Sequence, residues 1–240
     1  MAVRKDSYHH GDLRRALMDE ALRLMAGRGL GEWSLREVAA ALGVSHAAPY
    51  HHFRDRADLL SGLAREGLDL LDRRMARLQE AAGDDPKERL LAIGLAYVAF
   101  AVERPAYYAA IGAGAASPGP AVRGGPSPEP SATWRRLLEA VTACQRAGHL
   151  PAGDPVVIAV SLWSLVHGLA ELWKAGPLRL LPHAANGLGP LAEQVLRASV
   201  DSLHSTVLDE RTSVWPPSSS TPRRHRATPP RGRPTRSRPR

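Results

Sequence analysis

The sequence predicts an all-α fold: an N-terminal three-helix head built around a helix-turn-helix, then a longer helical body. Three observations carry this. Apolar residues recur at helical spacing, i, i+3, i+4 and i+7, in one segment after another. Helix stop and start signals separate those segments: Gly27 and Gly29, Gly43, Asp85-Pro86, Pro105, Asp154-Pro155 and Gly176-Pro177. A chain of 240 residues that is 44% hydrophobic can also build a real core in one or two domains. The expected limits are 1–54 for the head, 55–211 for the body and 212–240 for a tail.

Residues 1–10 read as an arm whose Arg4 and Lys5 can reach phosphate, although an unstructured terminus is the plainer reading. Residues 12–29 form the first helix, with Leu13, Leu17, Ala21, Leu24 and Met25 as its stripe. Residues 34–53 then hold two short helices. Ser34 and Glu37 make an S-x-x-E capping box, and Leu35, Val38, Ala39 and Leu42 share one face. Gly43 stands where a helix ends in a left-handed residue. Val44 returns to the core, and Ser45 is placed to cap a second helix over 46–52, too short to stand without its neighbours. Pro49 is the fourth residue of that helix, where its missing N–H removes only the first intrahelical bond.

A second helix of this kind reads the major groove in helix-turn-helix proteins. Here it presents Ser45, His46, Ala47, Tyr50 and His51 outward and Phe53 inward. None of the outward residues is an arginine, so bidentate reading of guanine is not on offer. Ser45, His46 and His51 are left to bond base edges, and Ala47 or Ala48 to meet thymine methyls.

The run VSHAAPYHHFRDRADLL, residues 44–60, resembles the recognition helix and following helix of the TetR family of bacterial transcriptional regulators. The family pattern is roughly V-S-x-x-x-(apolar)-Y-x-H-F-x-(small or acidic)-(K/R)-x-x-L-(apolar). Tyr50, His52, Phe53, Arg56, Leu59 and Leu60 fall on its positions. Pro49 departs from it at an apolar position, and Ala47 stands where glycine is common. The likeness is close over residues 8–60 and looser beyond. It implies phosphate contacts from Ser34, Arg36, Tyr50, His52 and Arg56. It also implies a helix joining head to body, and a body that holds a small apolar ligand and dimerises. Two body motifs resemble those of one TetR subgroup: Pro105-Ala106-Tyr107-Tyr108, like P-x-(L/Y)-Y, and Trp163 with His167-Gly168, like W-x-x-x-H-G.

Residues 54–82 are the joining helix, with Asp55 as its cap and Leu59, Leu60, Leu63, Leu70, Leu71, Met75 and Leu78 on its buried side. Gly62 and Gly67 either let it bend or admit a close neighbour. Asp85-Pro86-Lys87-Glu88 opens the next helix, which is apolar nearly all round over 90–102 and therefore central. Residues 112–132 are almost wholly Gly, Ala, Pro and Ser, and read as a loop: a flap over a pocket or a tolerated insertion.

Helices follow over 133–148, 154–175 and 188–208. The last two carry more apolar face than one body can cover. The family likeness pairs them with a second copy as a four-helix bundle, so a homodimer on a palindrome is expected. The candidate ligand-lining residues are Tyr97, Phe100, Tyr107, Tyr108, Trp134, Trp163, His167 and Trp173. Trp163 and His167 share a helix face, with Gly168 allowing close approach, and His167 in an apolar helix needs a polar partner.

The formal charge of +8 is unevenly placed. Eight arginines and no acid lie in 216–240; without them 24 basic residues face 24 acidic ones. The high pI therefore belongs to a Pro/Ser/Arg-rich tail that should not fold, though it can add salt-dependent affinity for DNA. Cys144 is alone, which excludes a disulfide framework and a cysteine zinc site. His9, His10, His51 and His52 lack the partners of a metal site, and no metal or cofactor is expected.

The first residues lack the apolar stretch of a signal peptide. The apolar run 156–173 contains His167 and Glu171. A charge at the bilayer centre costs roughly 2.5–3.5 kcal/mol, so an interface helix is expected there and no membrane span. G-x-S-x-G, H-E-x-x-H, Walker and Rossmann patterns are missing, so an enzyme is not expected. The leading expectation is a cytoplasmic, homodimeric, ligand-responsive repressor of a double-stranded DNA operator. The alternatives are a ligand-independent regulator or activator, and a small-molecule-binding protein without operator function.

Overall fold

Eight α-helices and four short helical turns carry the described residues, 10–31, 33–115 and 130–205, in a computed structural model; none of these residues is in a strand. The head consists of α1 (His10–Arg28), α2 (Leu35–Ala41), a 3-10 turn (Ala48–His51) and the first turns of α3 (Arg56–Ala81). Leu17, Ala21, Val38, Phe53, Leu59 and Leu63 meet in its core, each at most 2% exposed. The capping box of α2 is complete: Glu37 N–H donates to Ser34 Oγ at 3.2 Å, and Ser34 N–H donates to the Glu37 carboxylate at 2.8 Å. Gly43 follows at φ 68°, the left-handed conformation its position requires.

The second helix differs from the expectation. Ser45 does not cap a helix over 46–52; a single 3-10 turn with Ala47 as its first flanking residue stands there instead. Pro49 is the reason. It has no N–H to extend an i→i−4 ladder, so Ala48 N–H bonds to Ser45 O and Tyr50 N–H to Ala47 O in the tighter i→i−3 pattern. Pro49 itself is buried, so it fills the apolar position of the family pattern by packing.

The body is built on α4 (Pro86–Glu103), which touches α3, α5 (Pro105–Ala110), α6 (Ala132–Arg146), α7 (Pro155–Ala175) and α8 (Leu188–Ser205). Its all-round apolar sequence matches that central place. Local rules set the starts. The side chains of Asp55, Asp85, Ser131 and Asp154 accept from the opening N–H groups of α3, α4, α6 and α7, and Pro86, Pro105 and Pro155 occupy first-turn positions. α5 runs on into a π-helical turn, Ile111–Ala115, which takes up the start of the segment read as a loop.

Gly67 on α3 is a packing glycine: a Cβ there would stand 3.2 Å from Ile111 and 3.3 Å from Tyr107. Gly168 is not, because nothing lies within 4 Å of its would-be Cβ, so the close approach expected at that residue does not occur among the described residues. α7 is long and apolar enough, by length and composition, to cross a membrane. Its inner side, with Ile158, Leu162, Val166 and Leu169, is buried in the core, while Val157 is 59% and Leu172 47% exposed on the other side. The arm (1–9), residues 116–129 of the Gly/Pro/Ser-rich segment, and the arginine tail lie outside the described residues.

Cys144 is fully buried on α6, where its thiol meets the Pro86 carbonyl oxygen at 3.0 Å. Burial pushes that thiol up to about 11, far from the thiolate that reacts at neutral pH. Alkylation by iodoacetamide at pH 8 is therefore expected to be negligible in the native protein and complete in denaturant, as mass spectrometry of the intact chain will read. Ready native labelling would show that α6 leaves α4 easily.

Candidate functional site

The outer side of the 3-10 turn is a compact polar surface. Ser45, His46, Ala47, Tyr50 and His51 are exposed, with Tyr50 at 51%, and His52 is half-buried. Phe53 points the other way into the core, under the Arg14 guanidinium 5.1 Å from its ring centre. At the start of α2, Ser34 is half-buried and spends its hydroxyl on the capping box, while Arg36 is exposed. Ser34 and Arg28 hold the Glu37 carboxyl below its usual range, so the box stays charged and closed at neutral pH. Turn and α2 thus bring Ser34, Arg36, Ser45, His46, Ala47, Tyr50, His51 and His52 to one small head.

Arg56 does not join them. Its guanidinium lies over the Trp33 ring, 4.5 Å from the centroid, and donates to the carbonyl oxygen of Leu30. Position explains this: Arg56 is the first residue of α3, beside the α1–α2 loop, and Trp33 is buried at 5% exposure. In the free chain Arg56, the residue expected on phosphate, also pins this loop. The sequence offered one signal for it, a tryptophan in a short Gly-rich loop.

In the body, a cleft of about 560 Å³, open mouth included, lies between α3, α4, α6, α7 and α8. Of the eight expected lining residues, Tyr97, Trp134 and Trp163 line it. Phe100 is plain core, and Trp173 lies outside the cleft beneath Arg179. Sequence reasoning missed Met75, Gly94, Leu137, Val166 and Leu196, which also line it. Aliphatic lining carries no signal distinct from core. Gly94 did carry one, a glycine in an otherwise apolar helix: a Cβ there would stand 2.9 Å from the end of Leu196.

His167 and Tyr108 sit beside the cleft in a polar cluster. Tyr97 Oη is 2.9 Å and Tyr108 Oη 3.0 Å from His167 Nδ1. One imidazole nitrogen serves one hydroxyl well, so the two compete. Lys174, which stands over the Tyr108 ring at 5.8 Å, binds the Glu171 carboxylate at 3.1 Å. Burial raises both phenols, so both stay protonated hydrogen-bond donors at neutral pH. Tyr107, next in sequence, faces elsewhere. Its hydroxyl donates to Glu66 Oε1 at 2.7 Å, and Arg15 on α1 donates to the same oxygen at 2.6 Å. Among the described residues no group of three side chains suited to hold a metal comes together.

Arg56→Ala is expected to lower stability by about 1–3 kcal/mol through loss of the stacked, hydrogen-bonded guanidinium. Arg36→Ala, at an exposed position, should leave it within about 0.5 kcal/mol. Urea denaturation of the two variants compares them directly, and equal effects would remove the clamp role of Arg56.

The chain matches the profile of bacterial regulatory proteins of the tetR family over residues 17–63, and that of the tetracyclin repressor-like C-terminal domain over residues 90–206. It is 41% identical over 59 residues to the HTH-type transcriptional regulator AcrR of Shigella flexneri, covering 25% of this chain and 27% of that protein. It is 36% identical over 75 residues to the HTH-type transcriptional repressor Rv1474c of Mycobacterium tuberculosis, covering 31% and 38%. The chain thus spans well under half the length of these curated relatives. A solved structure of a protein with unknown function from Rhodococcus sp. RHA1 is similar over nearly its full length: 32% identity, 84% of this chain and 98% of that one, TM-score 0.62. With both halves of the family pattern present in order and the head built as described, the chain belongs to the TetR family of bacterial transcriptional regulators.

Proposed function

We propose that this protein is a ligand-responsive repressor that binds a palindromic double-stranded DNA operator as a homodimer in the bacterial cytoplasm. Residues 1–54 are its DNA-binding head and 55–211 its regulatory and dimerising body. The observation that carries the reading is the exposed polar surface of Ser45, His46, Ala47, Tyr50 and His51 on a head whose other side is solid core. Arg36 and Tyr50 flank that surface and suit phosphate, which positions a protein without reading sequence. The repressor named among its relatives favours repression over activation.

The outer side of α7 favours a second copy. Val156, Val157, Val160 and Leu172 form an apolar surface in water, and Ser161, Ser164 and Gly168 between them are small enough for another helix to come close. Two heads then address two half-sites one helical turn apart. The meeting of Trp163 and His167, ring centroids 6.3 Å apart, also supports placing the chain in the W-x-x-x-H-G subgroup.

Response to ligand needs a physical link from cleft to head, and α5 supplies one. Tyr108 faces the polar cluster at the cleft, and Tyr107 faces Glu66 and Arg15. α5 also packs on α1 and on Gly67 of α3. A ligand that displaces Tyr97 or Tyr108 shifts α5, and the shift reaches the head through the Tyr107–Glu66–Arg15 contact.

Selection of random duplexes on the full chain is expected to enrich one palindrome; flat enrichment rejects operator function and favours a small-molecule-binding protein. For the link, Gly94→Leu drives a side chain from the cleft wall against Leu196 and Val166. It is expected to weaken operator binding by about fivefold or more, the lower range of allosteric couplings. Adding Tyr107→Phe should cancel most of that loss. Anisotropy titration measures both, and an undiminished loss in the double variant rejects the α5 link.

A further inference from the structure

We infer that operator binding takes up protons: His46 and His51 engage the duplex as imidazolium ions, so affinity rises as pH falls through the ordinary histidine range. The inference rests on the reading of the head as a DNA reader and adds the charge state in which its turn works.

Both residues stand at positions that the family pattern leaves open, V-S-x-x-x-(apolar)-Y-x-H-F, so these two imidazoles belong to this chain and not to the pattern. His52, by contrast, fills a patterned position and is half-buried. His46 and His51 are exposed on either side of the buried Pro49. Neither ring makes a hydrogen bond or ion pair among the described residues. Residues 44–53 contain no lysine, arginine, aspartate or glutamate. The charge of the turn is therefore set by its histidines, and histidine is the side chain that ordinarily titrates within the physiological range, at about 6.5.

The surroundings leave that charge to the duplex. α2 packs on the turn and brings Arg36, which is exposed, and Glu37, which is tied to Ser34 and Arg28. After the turn Arg54 pairs with Asp58, and Asp55 accepts from the Asp58 N–H. Arg14 and Arg56 lie on Phe53 and Trp33. Tyr50 and His52 are the other titratable groups of the turn itself. Each of these three carboxylates thus has a partner already. A duplex supplies what the head lacks, a row of phosphates. An imidazolium has two N–H donors that point away from each other. One can reach a phosphate oxygen while the other reaches a base acceptor such as guanine O6 or thymine O4. A neutral ring has one donor and makes only one of these contacts. The duplex therefore holds the proton more tightly than the free chain does, and affinity present at low pH is lost as pH rises through the histidine range.

The test uses the full chain and the duplex enriched by operator selection, labelled with a rhodamine dye and followed by anisotropy at fixed salt. Affinity is expected to be about tenfold or more higher at pH 6 than at pH 8, the scale of one charge-assisted hydrogen bond. His46→Gln/His51→Gln keeps a neutral hydrogen-bonding side chain at both exposed positions, and should bring the two pH values to within about twofold of each other. Salt dependence gives a second readout that needs no variant. For the native chain the log–log slope should be steeper at pH 6 than at pH 8 by about 0.9 for each imidazolium on phosphate. Equal native affinity and slope at the two pH values overturn the inference. So does a pH effect that survives in the double variant, because it then belongs to the chain's other histidines. A palindrome bound equally well at both pH values rejects this inference alone, whereas flat operator selection rejects the DNA-reading head and the inference with it.

Discussion

Head and body share one beam. α3 spans 26 residues, about 39 Å of continuous helix, and both cores are laid against it. Leu59 and Leu63 belong to the head, Leu71 and Met75 to the body wall. Between them Gly67 leaves just enough room for Tyr107 and Ile111 to seat α5 on the beam. Packed helices answer strain by moving as units, because interiors are dense and resist local compression. On the proposed reading, a displacement at the cleft would be carried along α3 and α5 instead of being absorbed in a loose linker.

The 3-10 turn of the head shows what such a scaffold permits. A four-residue 3-10 turn has no stability of its own. Packing and neighbouring contacts hold it from outside: Pro49 and Phe53 are buried beneath it, Arg14 lies on Phe53, and Arg56 pins the preceding loop through Trp33 and Leu30. With Arg14 and Arg56 held on Phe53 and Trp33, the exposed groups of the turn are hydroxyls, imidazoles and small apolar side chains. In the proposed role such a surface suits base edges and methyl groups, and charge neutralisation falls to Arg36 and other cations nearby.

Consecutive residues on a helix point about 100° apart. That elementary fact makes α5 a two-sided element. Tyr108 turns to His167 and Tyr97 at the cleft, and Tyr107 turns to Glu66 and the head. Arg15 is half exposed and so contributes little as an ion pair. Its value lies in geometry, since it and Tyr107 meet on one carboxylate oxygen.

Helix order, caps and head were legible in the sequence, because each depends on residues a few positions apart. Ser34 with Glu37, Gly43, and the Asp-Pro starts at 85 and 154 are satisfied by backbone within their own turn. The family pattern over 44–60 was legible for the same reason. Other features depend on what arrives from far along the chain. That Arg56 stacks on Trp33 could not be read from its own surroundings in the sequence, and Pro49 looked tolerable in an α-helix until the ladder closed as 3-10. Which of eight aromatic and imidazole candidates line the cleft, and that Tyr97 and Tyr108 both meet His167, were decided by helices packing at long sequence separation. Spacing along one helix tells which side a residue is on, and only the neighbouring helices determine what that side meets.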